Sequence, residues 1–154
     1  MKKLLLIFVL FLLPSIANPI DARSDVPKLK LIAVVVDWCP YCHKWQEEVL
    51  PAFNHWIEAE VVNVTSGRNL PRWYKNAYDN GTIERLYGIP AFIIWDIEAE
   101  RELVRWVGYG GKDHFYEILD KAINKALEKQ VQCGHITSAL ERRSAGICKA
   151  ENIS

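Results

Sequence analysis

Two cysteines separated by two residues constrain this chain more than any other feature. Cys39 and Cys42 follow an apolar, strand-like run from Leu31 to Val36, and a helix-like apolar pattern follows them. Cys39 should therefore lie at a helix N-terminus, where free backbone N–H groups and the helix dipole favour negative charge. That setting favours the thiolate, the form of cysteine that attacks disulfides. Cys42 would lie one turn further on and displace a captured sulfur. The pattern predicts a dithiol redox centre, with a Cys39 pKa below that of a free thiol.

Two other interpretations of this pair stay open at the sequence level. A structural disulfide is common in exported proteins, although a bond that closes so short a loop removes little chain entropy. The run from Cys39 to His43 also fits the attachment pattern of a c-type haem, with His43 as an axial ligand. Met1 is the only methionine, so the second axial ligand would be another histidine: His55, His114 or His135.

The N-terminal segment predicts export. Lys2 and Lys3 precede an apolar stretch from Leu4 to Leu13, and small residues follow it. This order is typical of a secretory signal peptide, and the stretch is too short to span a bilayer. We assign residues 1–22 to a signal peptide that is cleaved near Ala17 or Ala22, and we expect a periplasmic or secreted protein. An uncleaved N-terminal anchor is the alternative.

The rest of the chain has the length of one domain with one core. We assign residues 25–130 to this domain and residues 131–154 to a C-terminal tail. The full sequence has 19 basic and 19 acidic side chains, and removal of Lys2 and Lys3 leaves 17 basic side chains and a balance of −2, so we expect no nucleic-acid or anionic-membrane partner. With the dithiol interpretation we expect a monomer without cofactor or metal. Most of four apolar-patterned tryptophans should lie in the core: Trp38, Trp45, Trp56 and Trp95.

The order of apolar segments predicts an α/β fold with a mixed central sheet flanked by helices. A buried strand at 29–37 precedes a helix from Tyr41 to Glu58, in which Pro51 should cause a kink or a break. The further elements are a strand at 61–64, a helix over 70–87 interrupted at Asn80-Gly81, a strand at 87–96, an alternating strand at 102–107, and a terminal helix capped by Asp113. A crossover helix between the first two strands predicts a parallel pair, and the later hairpin adds antiparallel strands.

This order of elements resembles the thioredoxin superfamily over residues 28–129. The resemblance rests on Trp-Cys-x-x-Cys opening the first helix and on Gly88-Ile89-Pro90 opening the third strand. It implies a thioredoxin fold and a cis Ile89–Pro90 bond beside Cys39, with the Ile89 backbone pairing with an extended substrate. The pair Pro40-Tyr41 is the one found in glutaredoxins. The export signal, Trp38 and the run 108–115 are more similar to a periplasmic thioredoxin-like protein, of the type in bacterial sulfur-oxidation systems.

The resemblance implies a thiol–disulfide oxidoreductase that reduces protein disulfides and is recharged by a membrane electron-transfer protein. Cys39 would be the nucleophile and Cys42 the resolving cysteine, and the expected substrate-binding residues are Trp38, Pro40, Tyr41, Ile89 and Pro90. Packing is the alternative role for Trp38, Tyr41 and Tyr109. His43 would favour the thiolate modestly, or be a surface histidine without a role. Another alternative is a binding module that keeps the fold without turnover.

One departure from the family pattern concerns the proton acceptor for Cys42. Many thioredoxins carry a buried acid on the strand before the motif, where this chain has Ala33. The acceptor is therefore unassigned. The direction of electron flow is also open, because reduction and oxidation use the same residues.

The C-terminal tail carries the other two cysteines. In an oxidising compartment we expect Cys133 and Cys148 to form a structural disulfide, with a second redox relay as the alternative. The structural disulfide would close a loop of about 15 residues and add about 3 kcal/mol to the free energy of unfolding. Ser138 and Glu141 form a capping-box pattern, which predicts a short helix between the two cysteines.

Overall fold

The computed structural model describes residues 28–134 and 151–153. In chain order the elements are β1 (Leu29–Val35), α1 (Pro40–Glu48), a 3₁₀ turn (Leu50–Ala52), β2 (Glu58–Asn63), α2 (Arg72–Asp79), β3 (Ala91–Asp96), β4 (Arg101–Val107), α3 (Lys112–Gly134) and β5 (Glu151–Asn152). The predicted signal peptide lies outside the described residues and stays a prediction. Within the described ranges, no helix has the length and apolar character needed to cross a membrane.

The strands form one mixed sheet in the order β2-β1-β3-β4-β5. β1 and β2 are parallel, because α1 returns the chain to the same end of the sheet, and β3 runs antiparallel to both β1 and β4. The first four strands and their helices follow the order of the thioredoxin fold, so the predicted fold class is confirmed. β5 was not predicted; it pairs in parallel with β4 through Val104 and Arg105.

Apolar layers cover both faces of this sheet. On one face α1 and α3 bury a cluster of aromatic rings, in which Trp45 lies 5.2 Å from Phe92 and Phe92 lies 5.1 Å from Phe115. On the other face α2 packs Tyr74 and Ala77 against the sheet. Burial on both faces explains the continuous apolar sequence of β1 from Leu31 to Val35. It also holds α1, and therefore the dithiol, rigidly against the end of the sheet.

The predicted burial of four tryptophans is correct for two of them. Trp45 and Trp95 are buried, whereas Trp38 is 69% exposed and Trp56 is 54% exposed. Trp38 lies in the turn after β1, and Trp56 lies in the irregular segment before β2. The apolar pattern does not predict burial at these two positions, because neither residue belongs to a helix or a strand.

The first helix is shorter than predicted. Pro51 interrupts it as expected, because proline lacks an N–H and its ring clashes with the preceding turn. The last helical bond runs from the Val49 N–H to the Trp45 carbonyl at 2.9 Å, and only a 3₁₀ turn follows. The predicted continuation to Glu58 is wrong, since Glu58 begins β2, where it pairs with Lys30.

The predicted second helical piece after Gly81 is also wrong. α2 ends at Asp79, Gly81 has a φ of 72°, and the N–H groups of Thr82 and Ile83 both bond to the Ala77 carbonyl. Residues 84–87 then have no regular secondary structure, and β3 begins at Ala91, not at residue 87.

Two predictions for the last strand and helix need correction. The predicted alternation of β4 is wrong: residues 102–106 are all buried, because both faces of the sheet are covered. These buried residues include Glu102 and Arg105. Asp113 lies inside the first turn of α3, which begins at Lys112, and so it does not cap the helix.

The predicted Cys133–Cys148 disulfide cannot be located in the described part of the chain. The backbone of Cys133 belongs to the last turn of α3, but its side chain, Cys148 and the predicted helix between them lie outside the described residues. The pairing stays a prediction.

Tyr74 predicts a specific loss of stability at alkaline pH. Its hydroxyl is buried without a hydrogen-bond partner among the described residues, and burial raises the pKa of Tyr74 from 10.0 to about 12. Above its ordinary pKa, the unfolded chain loses this proton while the folded chain retains it, so stability falls as pH rises towards 12. Tyr74→Phe should abolish this component, making the variant about 2 kcal/mol more stable than wild type near pH 12.

Urea unfolding between about pH 8 and pH 12 measures this difference. At the lower pH the variant should be at least as stable as wild type, because an unpaired buried hydroxyl is removed. Tyr87→Phe is the control, since the Tyr87 side chain is exposed. Parallel pH profiles for wild type and Tyr74→Phe would contradict the prediction.

Candidate functional site

The two cysteines lie where β1 ends and α1 begins. Cys39 is the N-cap of α1 with an extended backbone, and Pro40 occupies the first helical position, where the missing N–H costs no hydrogen bond. The backbone N–H of Cys42 donates to Cys39 Sγ at 3.1 Å. A sulfur at this place accepts a hydrogen bond and lies at the positive end of the helix dipole, and both effects favour its ionised form.

Cys39 and Cys42 form a disulfide with a Cα–Cα distance of 5.2 Å. Their surroundings differ: Cys39 is 8% exposed and Cys42 is 1% exposed. Cys39 is therefore the more accessible of the two cysteines, and the attack of Cys39 on a substrate sulfur stays a prediction.

The turn at Ile89 and Pro90 lies beside the dithiol. The Ile89–Pro90 bond is cis, as the resemblance implied. Ile89 packs against a small cluster formed by both cysteines and the end of β1, whose buried members are Val35, Val36, Cys39 and Cys42. The fold thus brings Ile89 to the cysteines from a position 47 residues along the chain from Cys42. Its pairing with a substrate backbone stays a prediction.

Aromatic side chains stand exposed near the dithiol. Trp38 and Tyr41 are mostly exposed, which excludes packing as their main role, and Pro40 is exposed between them. Tyr87, which was not singled out from the sequence, is 76% exposed two residues before Ile89. The position of Tyr87 next to the Gly-Ile-Pro motif is the sequence feature from which a role at this site could have been predicted. These side chains offer an apolar surface, and their contact with substrate stays a prediction.

Tyr109 has the packing role that was its alternative. It is buried in the aromatic layer, and its hydroxyl donates to a Glu48 carboxylate oxygen at 2.6 Å. Burial, together with this hydrogen bond, raises the pKa of Tyr109 well above its ordinary value. Tyr109 therefore joins the end of α1 to the loop before α3 and is not part of an exposed groove.

A hydrogen-bonded network holds the turn that carries Trp38. The Asp37 N–H donates to Thr65 Oγ1 at 2.8 Å, and the Asn63 amide donates to the Asp37 carboxylate. His43 Nε2 lies 2.6 Å from the Asp37 carbonyl oxygen. The side chain of His43 is exposed, as predicted. Its ring also bonds to the turn before Cys39. Its predicted effect on the thiolate stays a prediction.

The surroundings of Cys42 are aliphatic. The partly buried residues against the cysteine cluster are Val61, Val64 and Ile89. Ala33 is fully buried in the layer that contains Trp45 and Phe92, so its position supplies no proton acceptor. The acceptor for Cys42 remains unassigned.

These surroundings do not fit a c-type haem. Cys42 is buried under Ile89 and aliphatic side chains, which leave no space for a porphyrin bonded to both sulfurs. His43, the expected axial ligand, directs Nε2 at the Asp37 carbonyl. His55 lies 3.6 Å from Asp120, against α3. Across residues 28–134 and 151–153, no group of three His, Cys, Asp or Glu side chains could hold a metal ion.

Comparisons with known proteins add two similar structures. No protein-family model and no curated protein matches the chain. The periplasmic thioredoxin SoxS from Paracoccus pantotrophus, in its reduced form, is 22% identical over 64% of this chain and 98% of that chain, with a TM-score of 0.49. Trxlp from Edwardsiella tarda EIB202 is 19% identical over 61% of this chain and 84% of that chain, with a TM-score of 0.42. Because these similarities are low, the fold assignment rests on the strand order.

The site geometry predicts that the two reduced cysteines differ in reactivity. After mild reduction, iodoacetamide should alkylate Cys39 first, because Cys39 is the accessible sulfur at the helix N-terminus. Half-maximal reactivity should occur at a pH below about 8.5, the value for a free thiol. Peptide mass spectrometry across a pH series identifies the modified residue. Preferential alkylation of Cys42, or a midpoint at or above the free-thiol value, would refute the prediction.

Proposed function

We propose that this chain is an exported thiol–disulfide oxidoreductase that reduces disulfides of partner proteins. The observation that carries the proposal is the asymmetry of the dithiol. Cys39 caps α1 and accepts the Cys42 N–H, and it is 8% exposed whereas Cys42 is 1% exposed. A structural disulfide needs neither this helix position nor the exposed aromatic residues beside it.

The proposed reaction has two exchange steps. The Cys39 thiolate attacks one sulfur of a substrate disulfide, forming a mixed disulfide and releasing the other substrate sulfur as a thiolate. Deprotonated Cys42 then attacks Cys39 Sγ, which restores the Cys39–Cys42 bond and releases the second substrate thiolate. Two electrons pass from the dithiol to the substrate, and the two substrate thiolates take up protons. The oxidised pair of the described structure is the product of this sequence.

The surface around Cys39 indicates how a protein substrate would be held. Trp38 and Tyr41 are exposed on either side of Cys39 in the sequence, and Ile89 lies against the cysteine cluster from the opposite loop. An extended segment with a disulfide could pair with the Ile89 backbone while its side chains contact the two aromatic rings. Aromatic side chains suit such a surface because they bury large areas at low entropic cost.

Continued turnover needs a donor of two electrons for the oxidised pair. For an exported protein this donor would be the dithiol of a membrane electron-transfer protein, reached by the same exchange chemistry. The N-terminal sequence from Lys2 to Ala22 supports export.

Trapping variants test the assigned roles of the two cysteines. Cys42→Ala should accumulate mixed disulfides with partner proteins, because Cys39 can capture a substrate but cannot release it. Non-reducing gels of the purified variant from its native compartment detect these adducts. The double variant Cys39→Ala/Cys42→Ala is the control, since it retains Cys133 and Cys148 and should show none. Adducts with Cys39→Ala but not with Cys42→Ala would reverse the roles.

The redox state of the pair in cells tests the direction of electron flow. For a reductase, Cys39 and Cys42 should be mostly reduced at steady state, and an alkylation gel shift of acid-quenched cells measures the reduced fraction. The Cys39→Ala/Cys42→Ala variant provides the background from the other cysteines. A mostly oxidised pair would contradict the reductase assignment and indicate a disulfide donor. Absence of insulin reduction by the purified protein would instead favour a binding module.

A further inference from the structure

Arg105 is a charged side chain in the interior of the sheet. It lies fully buried on β4, and it forms an ion pair with Glu102 on the same strand, also buried. Removing two charges from water is unfavourable, and buried pairs are often no better for stability than apolar residues of the same size. The location of this pair therefore calls for a role other than stability.

The pair bonds to one irregular segment of the chain. Arg105 Nη1 donates to the Arg85 carbonyl and Nη2 donates to the Glu84 carbonyl, each at 2.9 Å. Glu102 Oε2 accepts the Glu84 N–H at 3.2 Å, and the Glu102 N–H donates to the Thr82 carbonyl at 3.2 Å. Residues 84–87 have no regular secondary structure. The backbone of Glu84 and Arg85, at the start of this stretch, is held by these two side chains from β4.

This segment leads directly to the dithiol. Four residues after Arg85, Ile89 packs against the cysteine cluster. A second attachment to β4 lies at this end: a Cβ at Gly88 would be 2.6 Å from Val107 Cγ1, and the Gly108 N–H donates to the Pro90 carbonyl at 2.8 Å. The segment is thus fixed to β4 at its start by Arg105 and at its end next to Val107.

We propose that Arg105 is a positioning residue that sets the position of Ile89 for protein substrates. The proposal rests on the function proposed above. A planar guanidinium that binds two successive carbonyls and a carboxylate fixes both the place and the orientation of the backbone, which an ammonium group cannot do. An extended substrate that pairs with the Ile89 backbone should bind less tightly when this backbone is displaced, and a loss of binding that is equal in the ground state and the transition state raises KM without lowering kcat.

A neutral double variant separates positioning from stability. Glu102→Gln/Arg105→Met removes both charges together, so no unpaired charge is left buried, but it also removes the bonds to the Glu84 and Arg85 carbonyls. We expect KM for insulin reduction to rise about tenfold with kcat little changed. Amide hydrogen exchange of Gly108, whose N–H donates to the Pro90 carbonyl at 2.8 Å, should accelerate by a similar factor. The rate of Cys39 alkylation by iodoacetamide should stay unchanged, because a small reagent does not use Ile89.

The matched control removes an ion pair at the other edge of the sheet. Lys30 and Glu60 are 2.6 Å apart and only partly exposed, and Lys30→Met/Glu60→Gln should leave insulin KM and the exchange of the Gly108 amide as in wild type. Arg105→Lys is a second variant that keeps the charge next to Glu102 but not the planar fork, and it should also raise KM. It serves as the test if the neutral double variant does not fold.

Several outcomes would overturn the proposal. Wild-type KM and wild-type exchange in the variants would show that Arg105 does not position Ile89. Equal losses in insulin reduction and Cys39 alkylation would show a general disturbance of the site instead. If the wild-type protein does not reduce insulin, the proposed function is contradicted independently of the role of Arg105. Unchanged exchange of the Gly108 amide would then still refute the anchoring by Arg105.

Discussion

The hydrogen bond from the Cys42 N–H to Cys39 Sγ is the interaction on which the rest of the site depends. It exists because the chain changes from strand to helix at Cys39, and because Pro40 can begin a helix without losing a bond. The helix is held in place by Trp45, which is fully buried against Phe92 and Phe115. The aromatic layer on one face of the sheet thereby determines where Cys39 Sγ lies.

The site is assembled from segments that are distant in sequence. The end of β1 and the start of α1 carry the cysteines, while the loop before β3 brings Ile89 against them. The turn before Cys39 is held by Asn63 and Thr65, at and just after the end of β2. The loop with Ile89 has no strand or helix of its own and is bonded to β4 through Arg105. The Cys39–Cys42 pair is therefore supported by segments from three strands.

Short sequence patterns predicted where helices end, but they did not predict the path of the chain after each helix. A proline inside a helix interrupts the helical hydrogen bonding whatever its tertiary contacts are, so the break at Pro51 after α1 was predictable. The start of β2 at Glu58 was not, because it depends on pairing with Lys30 in β1. In the same way Gly81 marks the end of α2, but the irregular course of residues 84–87 depends on Glu102 and Arg105 in a later strand. Pairing across distant segments leaves no local pattern in the sequence.

By itself, the sequence determined the cysteine pair at a helix start, the parallel and antiparallel arrangement of the first four strands, and the break at Pro51. These features depend on backbone chemistry and on apolar runs, which act over a few residues. Only the tertiary structure decided that Trp38 is exposed, that Cys42 lies behind Cys39, and that Arg105 is buried. Burial of a residue depends on which distant segments of the chain cover it. A charged residue on a strand is therefore expected to be exposed, unless the tertiary structure supplies a buried partner of opposite charge.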